Sequence, residues 1–402
     1  MEEWKEYKLG EIIKVLDFKR IPLSSQERSM RKGYFPYYGA QGIIDYVDDY
    51  IFDGTYLLIA EDGENLKSNK QNIAQIARGK FWVNNHAHIV DSNGLCDIRY
   101  LCYLLNNIDI SGYITGSAQP KLNQANLLSI VVKLPFLNTQ QSIANYIAIF
   151  DEKIELNRRI NDNLEQQAQA LFKAWFVDFE PFKDGKFVDS ELGKIPEGWK
   201  VVHADEVFDI NIGKTPPRKE SIWFSNSGSS NVQWVSISDM GNCGAFIGNS
   251  KEHLTQDAIN KFNIIIVPKD TILLSFKLTI GRVAIAQKEL TTNEAIARFY
   301  LPYSQYREFT YLTLKNYDYS KLGSTSSIAT AVNSKIIKGM KILLPINEHI
   351  KNFSTIVKPI FDLMESYSNE IDSLSQLRDT LLPRLMSGEL KITDIVDKSL
   401  NE

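Results

Sequence analysis

The sequence predicts an α+β chain in which two mixed α/β modules are separated by two long antiparallel coiled-coil helices, the halves forming a pseudo-twofold internal repeat. Three observations predict it. The stretch "IVVKLPFLNTQQSIANYIAIFDEKI" (130–154) reads as a strand, a proline stop and the start of a long helix, and "IKGMKILLPINEHIKNFSTIVKPIFDLM" (337–364) says nearly the same again. An offset of 210 residues sets Asn123 on Asn333, Leu134 on Leu344 and Pro135 on Pro345. Each copy of the helix carries a heptad seam, and each follows a module rich in short β-type runs.

A chain of 402 residues exceeds one ordinary core, so at least two domains are expected. Hydrophobic content of 44% and charged content of 23% are those of a globular protein, and no run approaches the roughly 18 apolar residues of a membrane helix. "MEEWKEYKLG" lacks the basic start and apolar run of a secretory signal. The cysteines are Cys96, Cys102 and Cys243, an odd number without a C-x-x-C pair, which argues against a disulfide framework and a zinc site. A cytoplasmic protein with no membrane contact is expected.

Net charge is −4, which taken alone speaks against a nucleic-acid partner, since neutralising phosphates needs clustered Lys and Arg. The total hides a partition: −1 for residues 1–138, −2 for 139–178, +3 for 179–347 and −4 for 348–402. The acidity sits mainly in the predicted helices and the tail.

The first module opens on "EEWKEYKLGEIIKVL" and the second on "EGWKVVHADEVFDI", aligned on Trp4 and Trp199 at an offset of 195. The modules therefore share a frame and differ in loop lengths. "TYLLIA" and "FWVNN" in the first, and "FNIIIV", "TILLSF" and "RVAIA" in the second, read as strands broken by Gly, Asn, Asp and Pro.

In the first helix Ile143, Ile147, Phe150, Ile154, Asn157, Asn161, Leu164, Ala168, Leu171 and Trp175 step by four and three, an a/d seam. The same offset of 210 gives Phe353, Val357, Ile360, Met364, Tyr367, Ile371, Leu374, Arg378, Leu381 and Leu385. Two matched seams in one chain are expected to bury each other; the blander alternative is that each helix only covers its own module. In full register Asn161 would lie opposite Tyr367 and bond its hydroxyl. Each helix is expected to run about 60 Å at 1.5 Å per residue.

Catalytic patterns are missing from the sequence. The histidines are His86, His88, His203, His253 and His349, without an H-E-x-x-H pair, and no phosphate-binding loop, nucleophile elbow or dinucleotide fingerprint occurs. "VDFEPF" (177–182) has one proline where the amino-methyltransferase motif needs two. His86 and His88 could share a strand face, but no third metal ligand lies nearby in the sequence, so structural roles and no metal are expected.

Binding chemistry remains. "LDFKRIPLSSQERSMRKGYFPYYGAQG" carries Lys19, Arg20, Arg28, Arg31 and Lys32, followed by Tyr34, Phe35, Tyr37 and Tyr38. Cations neutralise phosphates and planar side chains pack on sugars and bases. At the corresponding place the second module has "NIGKTPPRKESIWF", with Lys214, Arg218, Lys219 and Trp223. A charge run is usually a solvated face; its recurrence after the same opening strand strengthens the case for DNA.

On these residues the sequence resembles the specificity subunits of type I restriction-modification enzymes. The resemblance rests on the duplicated "LPFLNTQQSIANYIAIFDEKIELNRRINDNLEQQAQALFKAWFVDFEPF", on "LGKIPEGWK" opening the second half, on "SGYITGSAQPKLNQANLLSIVVKLP" closing the first module and on "QLRDTLLPRLMSGEL" ending the second helix. It implies target-recognition domains at 1–138 and 179–347, each reading one half of a bipartite site in double-stranded DNA. Between and after them it implies a central conserved helix at 139–178, and a C-terminal conserved helix and tail at 348–402, which set the unread spacer.

It further implies two modification subunits docked on the helices and restriction subunits in the full assembly. Adenosylmethionine and ATP/Mg belong to those partners, so no cofactor and no catalysis are expected of this chain. By resemblance, "TGSAQPKLN" (115–123) suggests a phosphate contact by Lys121; its counterpart "GSTSSIATAVN" (323–333) lacks the Gln-Pro-Lys core. "LLSFKLTIGRVAIA" resembles the family's strand, glycine turn, strand element and places Lys277 and Arg282 near DNA, where the first module has the more acidic "LLIAEDGENL".

The expected DNA-binding residues are thus Lys19, Arg20, Arg31, Lys32, Tyr37, Lys121, Lys214, Arg218, Lys219, Lys277 and Arg282. The expected helix–helix seam is Ile147, Phe150, Ile154, Asn161, Leu164, Leu171, Val357, Ile360, Met364, Tyr367, Ile371, Leu374 and Leu381. The rival reading is a coiled-coil adapter that reads no DNA. It explains the seams and leaves the basic-aromatic loops idle.

Overall fold

The computed structural model describes residues 4–68, 72–116, 119–225, 231–322 and 332–392. By contacts the chain divides into two compact units, Met1–Glu152 with Leu374–Glu402, and Lys153–Ser373.

In the first unit a six-stranded sheet runs in the order Ile13–Val15, Ala87–Ser92, Phe52–Ala60, Ala74–Val83, Lys32–Gly39, Gly42–Val47. Pairing is antiparallel except between Lys32–Gly39 and Ala74–Val83. Strand Phe52–Ala60 ends in four buried apolar residues, "LLIA", because both faces of the sheet are covered there. One face packs Leu57 and Ile59 with Tyr100, Leu101 and Leu105 of the helix Ile98–Leu105, and with Ile143 and Ile147 of the first long helix. The other face stacks Phe52 on Phe81, their ring centroids 5.5 Å apart.

The second unit holds a five-stranded sheet in the order Asp209–Ile212, Ile296–Tyr300, Ile272–Ser275, Val283–Ala286, Phe246–Ile247, and a four-stranded one in the order Phe224–Ser225, Glu252–Leu254, Val232–Val235, Thr291–Thr292. Its main core joins Leu274, Phe299 and Phe309 to Phe172, Phe176, Phe353 and Phe361 of the long helices.

The repeat is visible as matched pairing. Strand Lys5–Lys8 pairs antiparallel with Val131–Leu134, Lys5 opposite Leu134, and Lys200–His203 pairs with Lys341–Leu344, Lys200 opposite Leu344. Asn123 and Asn333 each cap a short helix through the side chain, accepting from Asn126 N in one case and from Lys335 N and Ile336 N in the other. The long helices are Leu137–Phe176 and Asn347–Met386, 40 residues each.

Within the second unit the two long helices meet. The Asn157 amide donates to Glu370 at 2.8 Å, and the Asn161 amide to the Met364 carbonyl at 3.3 Å and the Ser368 hydroxyl at 3.2 Å. Asn161 therefore bonds residues flanking Tyr367 rather than the Tyr367 hydroxyl expected from the sequence. A knob sits in the hole between side chains of the facing helix, not head-on against one of them. Neither asparagine reaches freely into solvent: Asn157 is fully buried and Asn161 half-buried.

Burial along the seam is uneven. Ile147, Phe150, Ile154, Val357 and Met364 are buried, while Leu164, Leu171, Ile360, Tyr367, Ile371, Leu374 and Leu381 are half-buried. Phe172, Phe176, Phe361 and Leu382, outside the a/d positions, are buried instead. A helix packed on both a partner helix and a module core needs an apolar face wider than a two-position stripe. Phe176 shows this directly, its ring 4.8 Å from Phe353 of the second helix and 5.1 Å from Phe309 of the module.

Candidate nucleic-acid interface

In the second unit one backbone segment, 292–296, gathers residues read from separate parts of the sequence. Gly213 N donates to the Ile296 carbonyl at 3.1 Å, Lys214 N to Thr292 at 3.0 Å, and Phe276 N to Ala295 at 2.9 Å. The Thr215 hydroxyl donates to the Glu294 carboxylate. The basic loop at 213–219 and the turn carrying Lys277 thus rise side by side. Gly213 has no room for a side chain, since a Cβ there would sit 2.0 Å from the Asn293 carbonyl oxygen.

The cations of this cluster are not equivalent. The Lys214 ammonium caps the helix Gln256–Phe262 from outside, donating to the carbonyls of Phe262 at 3.2 Å and Asn263 at 3.1 Å. Arg218 pairs with Glu252 at 2.7 Å and lies 4.4 Å from the ring centroids of both Phe224 and Trp234. Arg282 is half-buried and donates to the Ile237 carbonyl at 2.6 Å. Lys219 and Lys277 are exposed and, among the described residues, have no ion-pair partner.

The first unit contrasts with this. Arg31 pairs with Asp48 at 2.9 Å, Lys32 with Asp45 at 2.6 Å and Arg28 with Asp45 at 3.2 Å, so the strand Gly42–Val47 and its end neutralise the basic run across the hairpin. The Lys32 ammonium and the Tyr46 amide hold the Asp45 carboxyl below its ordinary range. Arg20 is committed inward: it pairs with Glu61 at 2.8 Å and Asp17 at 3.2 Å and donates to the Ala87 carbonyl at 3.0 Å. Lys121 reaches the same Glu61 at 3.4 Å with about half its side chain exposed. Lys19 stands exposed beside the exposed Phe18 ring.

Tyr37 belongs to the core, not to a binding face. It has no exposed surface, and its hydroxyl accepts from Leu23 N at 2.8 Å. Side chains alternate across the strand Lys32–Gly39, and its exposed aromatic residue is Tyr34, 94% accessible. The sequence held that alternation, but not which face is buried.

Asp17, Glu61 and His88 are the one group among the described residues whose ligand atoms lie close enough to share a cation. Their atoms are already engaged. His88 Nδ1 lies 2.6 Å from Asp17 and Nε2 2.8 Å from the Leu122 carbonyl, while Asp17 also accepts from Ile89 N at 2.9 Å. With both ring nitrogens bonded, the cluster is a packing network that anchors the loop carrying Arg20. His86 bonds Asp62 at 2.7 Å from the surface. The cysteines are free, and burial pushes the thiols of Cys102 and Cys243 up to about 12, well away from thiolate chemistry.

The loop at 115–123 is described except for residues 117–118, and the loop at 323–333 lies outside the described residues from 323 to 331. A residue that composition did not flag is Leu278, fully exposed at the turn beside Lys277.

The sequence model of the type I restriction modification DNA specificity domain matches residues 1–166 and 196–381. The type I restriction enzyme MjaIX specificity subunit of Methanocaldococcus jannaschii is 26% identical, covering 98% of each chain. The HindI specificity subunit of Haemophilus influenzae is 27% identical over 97% of this chain and 100% of that one. The crystal structure of a type I restriction-modification system S subunit from M. genitalium has the same fold, with a TM-score of 0.55 at 16% identity, covering 96% of each chain.

Proposed function

The chain belongs to the type I restriction modification DNA specificity family, and from that membership we propose that its two modules each read one half of a bipartite site in double-stranded DNA. Its function is DNA sequence recognition as the specificity subunit of a type I restriction-modification system, and the reading as a non-reading adapter is not supported. The observation that carries the bipartite reading is the double match of one family domain, once in each half, on modules whose frames agree and whose loops differ.

We take the recognition domains as 1–138 and 179–347. We take 139–178 as the central conserved helix and 348–402 as the C-terminal conserved helix and tail. We infer that the two helices, Leu137–Phe176 and Asn347–Met386, pair as an antiparallel coiled coil that sets the unread spacer and docks two modification subunits, with restriction subunits in the full assembly. Methyl transfer from adenosylmethionine and ATP-driven cleavage belong to those subunits, in the cytoplasm. The acidic surfaces of the helices suit protein contacts better than phosphate.

Base readout depends on loop geometry, so exchanging a module should exchange half of a motif. Replacing residues 11–125 by those of another family member is expected to change one half of the motif enriched from random duplexes by the assembled complex. A change in both halves would refute modular reading.

A further inference from the structure

The turn between strands Ile272–Ser275 and Val283–Ala286 holds an apolar side chain where folding gives it nothing to touch. Leu278 is 102% exposed, and its φ of +62° is an outlier for a bulky residue other than glycine. Thr279 N donates to the Lys277 carbonyl at 2.7 Å, closing a three-residue turn around Leu278 whose positive-φ form is rare and strained.

Ser275 imposes that geometry from beneath. Fully buried, its hydroxyl donates to the Thr279 carbonyl at 2.7 Å and accepts from Arg282 N at 3.1 Å, while its own carbonyl accepts from Gly281 N at 3.0 Å. A strained residue persists only where its surroundings over-determine it, and such residues cluster at ligand clamps. Beside it stands the exposed Lys277, without an ion-pair partner among the described residues, and the basic loop of Lys214 and Lys219 rises from the same segment, 292–296.

We propose that Leu278 is a wedge that enters between base pairs of duplex DNA, with Lys277 on the adjoining phosphate. The proposal rests on the DNA-reading function above. An apolar side chain that parts a base step pays for unstacking by letting the bent duplex meet more protein. Fixing that side chain outward in advance removes the ordering cost from the binding step. The acidic counterpart in the first module, Glu61 to Glu64, presents no apolar tip, so the wedge is a property of one half-site.

The test uses the complex assembled with its modification subunits and duplexes of the enriched motif. 2-Aminopurine is placed at successive positions of the half-site read by the second module, away from the methylated adenine. The wild type is expected to raise fluorescence at one step. Leu278→Gly suits the positive φ, so its melting temperature should hold or rise, while affinity falls on the order of tenfold, the scale of one buried apolar side chain. The fluorescence rise should vanish with it and return in Leu278→Phe. Unchanged affinity and fluorescence in Leu278→Gly overturn the wedge, as does loss of a modification subunit from that variant, which would assign Leu278 to a protein pocket. A wild type that enriches no motif refutes the DNA-reading function itself, an outcome distinct from a glycine variant that reads as well as the wild type.

Discussion

The Asn157 amide donates to the Glu370 carboxylate at 2.8 Å while its own side-chain oxygen, fully buried, meets no partner; the buried Asn161 oxygen is likewise unpartnered. An unpartnered buried acceptor costs about 1–3 kcal/mol, more than a typical hydrogen bond returns. Two polar residues in an apolar seam are thus expected to lower stability and to favour one register, because a slip would bury them with no partner at all. Asn157→Leu is expected to raise the thermal midpoint by a few degrees and to broaden the spacer lengths recovered in motif enrichment. A lower midpoint would mean that the bond to Glu370 outweighs the orphaned oxygen.

Arg307 joins the second module to the second long helix. It pairs with Glu308 at 2.8 Å, Asp270 at 2.9 Å and Asp362 at 3.3 Å, and Glu308, 2% exposed, also accepts from the Ser354 hydroxyl at 3.1 Å. Burial alone would lower the Arg307 pKa, but the carboxylates of Glu308 and Asp270 raise it above its ordinary value. Removing the guanidinium strands a buried carboxylate, at a cost of about 3–5 kcal/mol. Arg307→Ala should be strongly destabilised in urea, and the double variant Arg307→Leu with Glu308→Leu should recover most of the loss. A double variant no better than the single one would contradict this.

The parts of the fold legible in the sequence are those set by local pattern. The offsets of 195 and 210 recover the paired strands at Lys5 and Lys200 and both 40-residue helices, because heptads, proline stops and Asn caps are local signals. The site was less legible, since a cation's availability is decided across a hairpin. Arg31 and Lys32 are paired across the hairpin by Asp48 and Asp45, and Arg20 is paired by Glu61, partners that lie well apart from them in sequence. Tyr37 and Tyr34 differ only in the face their strand buries. Leu278 was invisible because its conformation is dictated by Ser275, three residues upstream, rather than by its own residue type.

His349 is expected to make the second unit sensitive to acid. Its Nδ1 accepts from the Trp199 indole at 3.0 Å and its ring stacks on Phe182 at 4.4 Å, an arrangement that requires the neutral imidazole, and burial lowers its pKa below the ordinary 6.5. A depressed histidine means that the unfolded chain takes up the proton first. Its contribution is therefore intact above pH 6.5 and is lost progressively as pH falls below it. Between pH 7.5 and 5.5 the melting temperature should fall, and His349→Gln should flatten that part of the profile. An identical slope in the variant would place the acid sensitivity elsewhere.

Salt dependence should separate the cations that meet phosphate from those that hold the fold. Each phosphate neutralised contributes about 0.9 to the slope of log affinity against log salt. Lys219 and Lys277 are exposed and unpaired among the described residues, so Lys219→Ala and Lys277→Ala should each flatten the slope by about one while leaving the melting temperature alone. Arg20 should behave oppositely. Its guanidinium is held by Asp17, Glu61 and the Ala87 carbonyl, so Arg20→Ala removes a partner from two carboxylates with little exposure and lowers the melting temperature with the slope unchanged. The three variants are compared in the assembled complex on one duplex, by affinity at four salt concentrations. Should Arg20→Ala flatten the slope and the lysine variants not, the phosphate contact would lie at the first module's loop, and the exposed lysines of the second would be an ordinary solvated face.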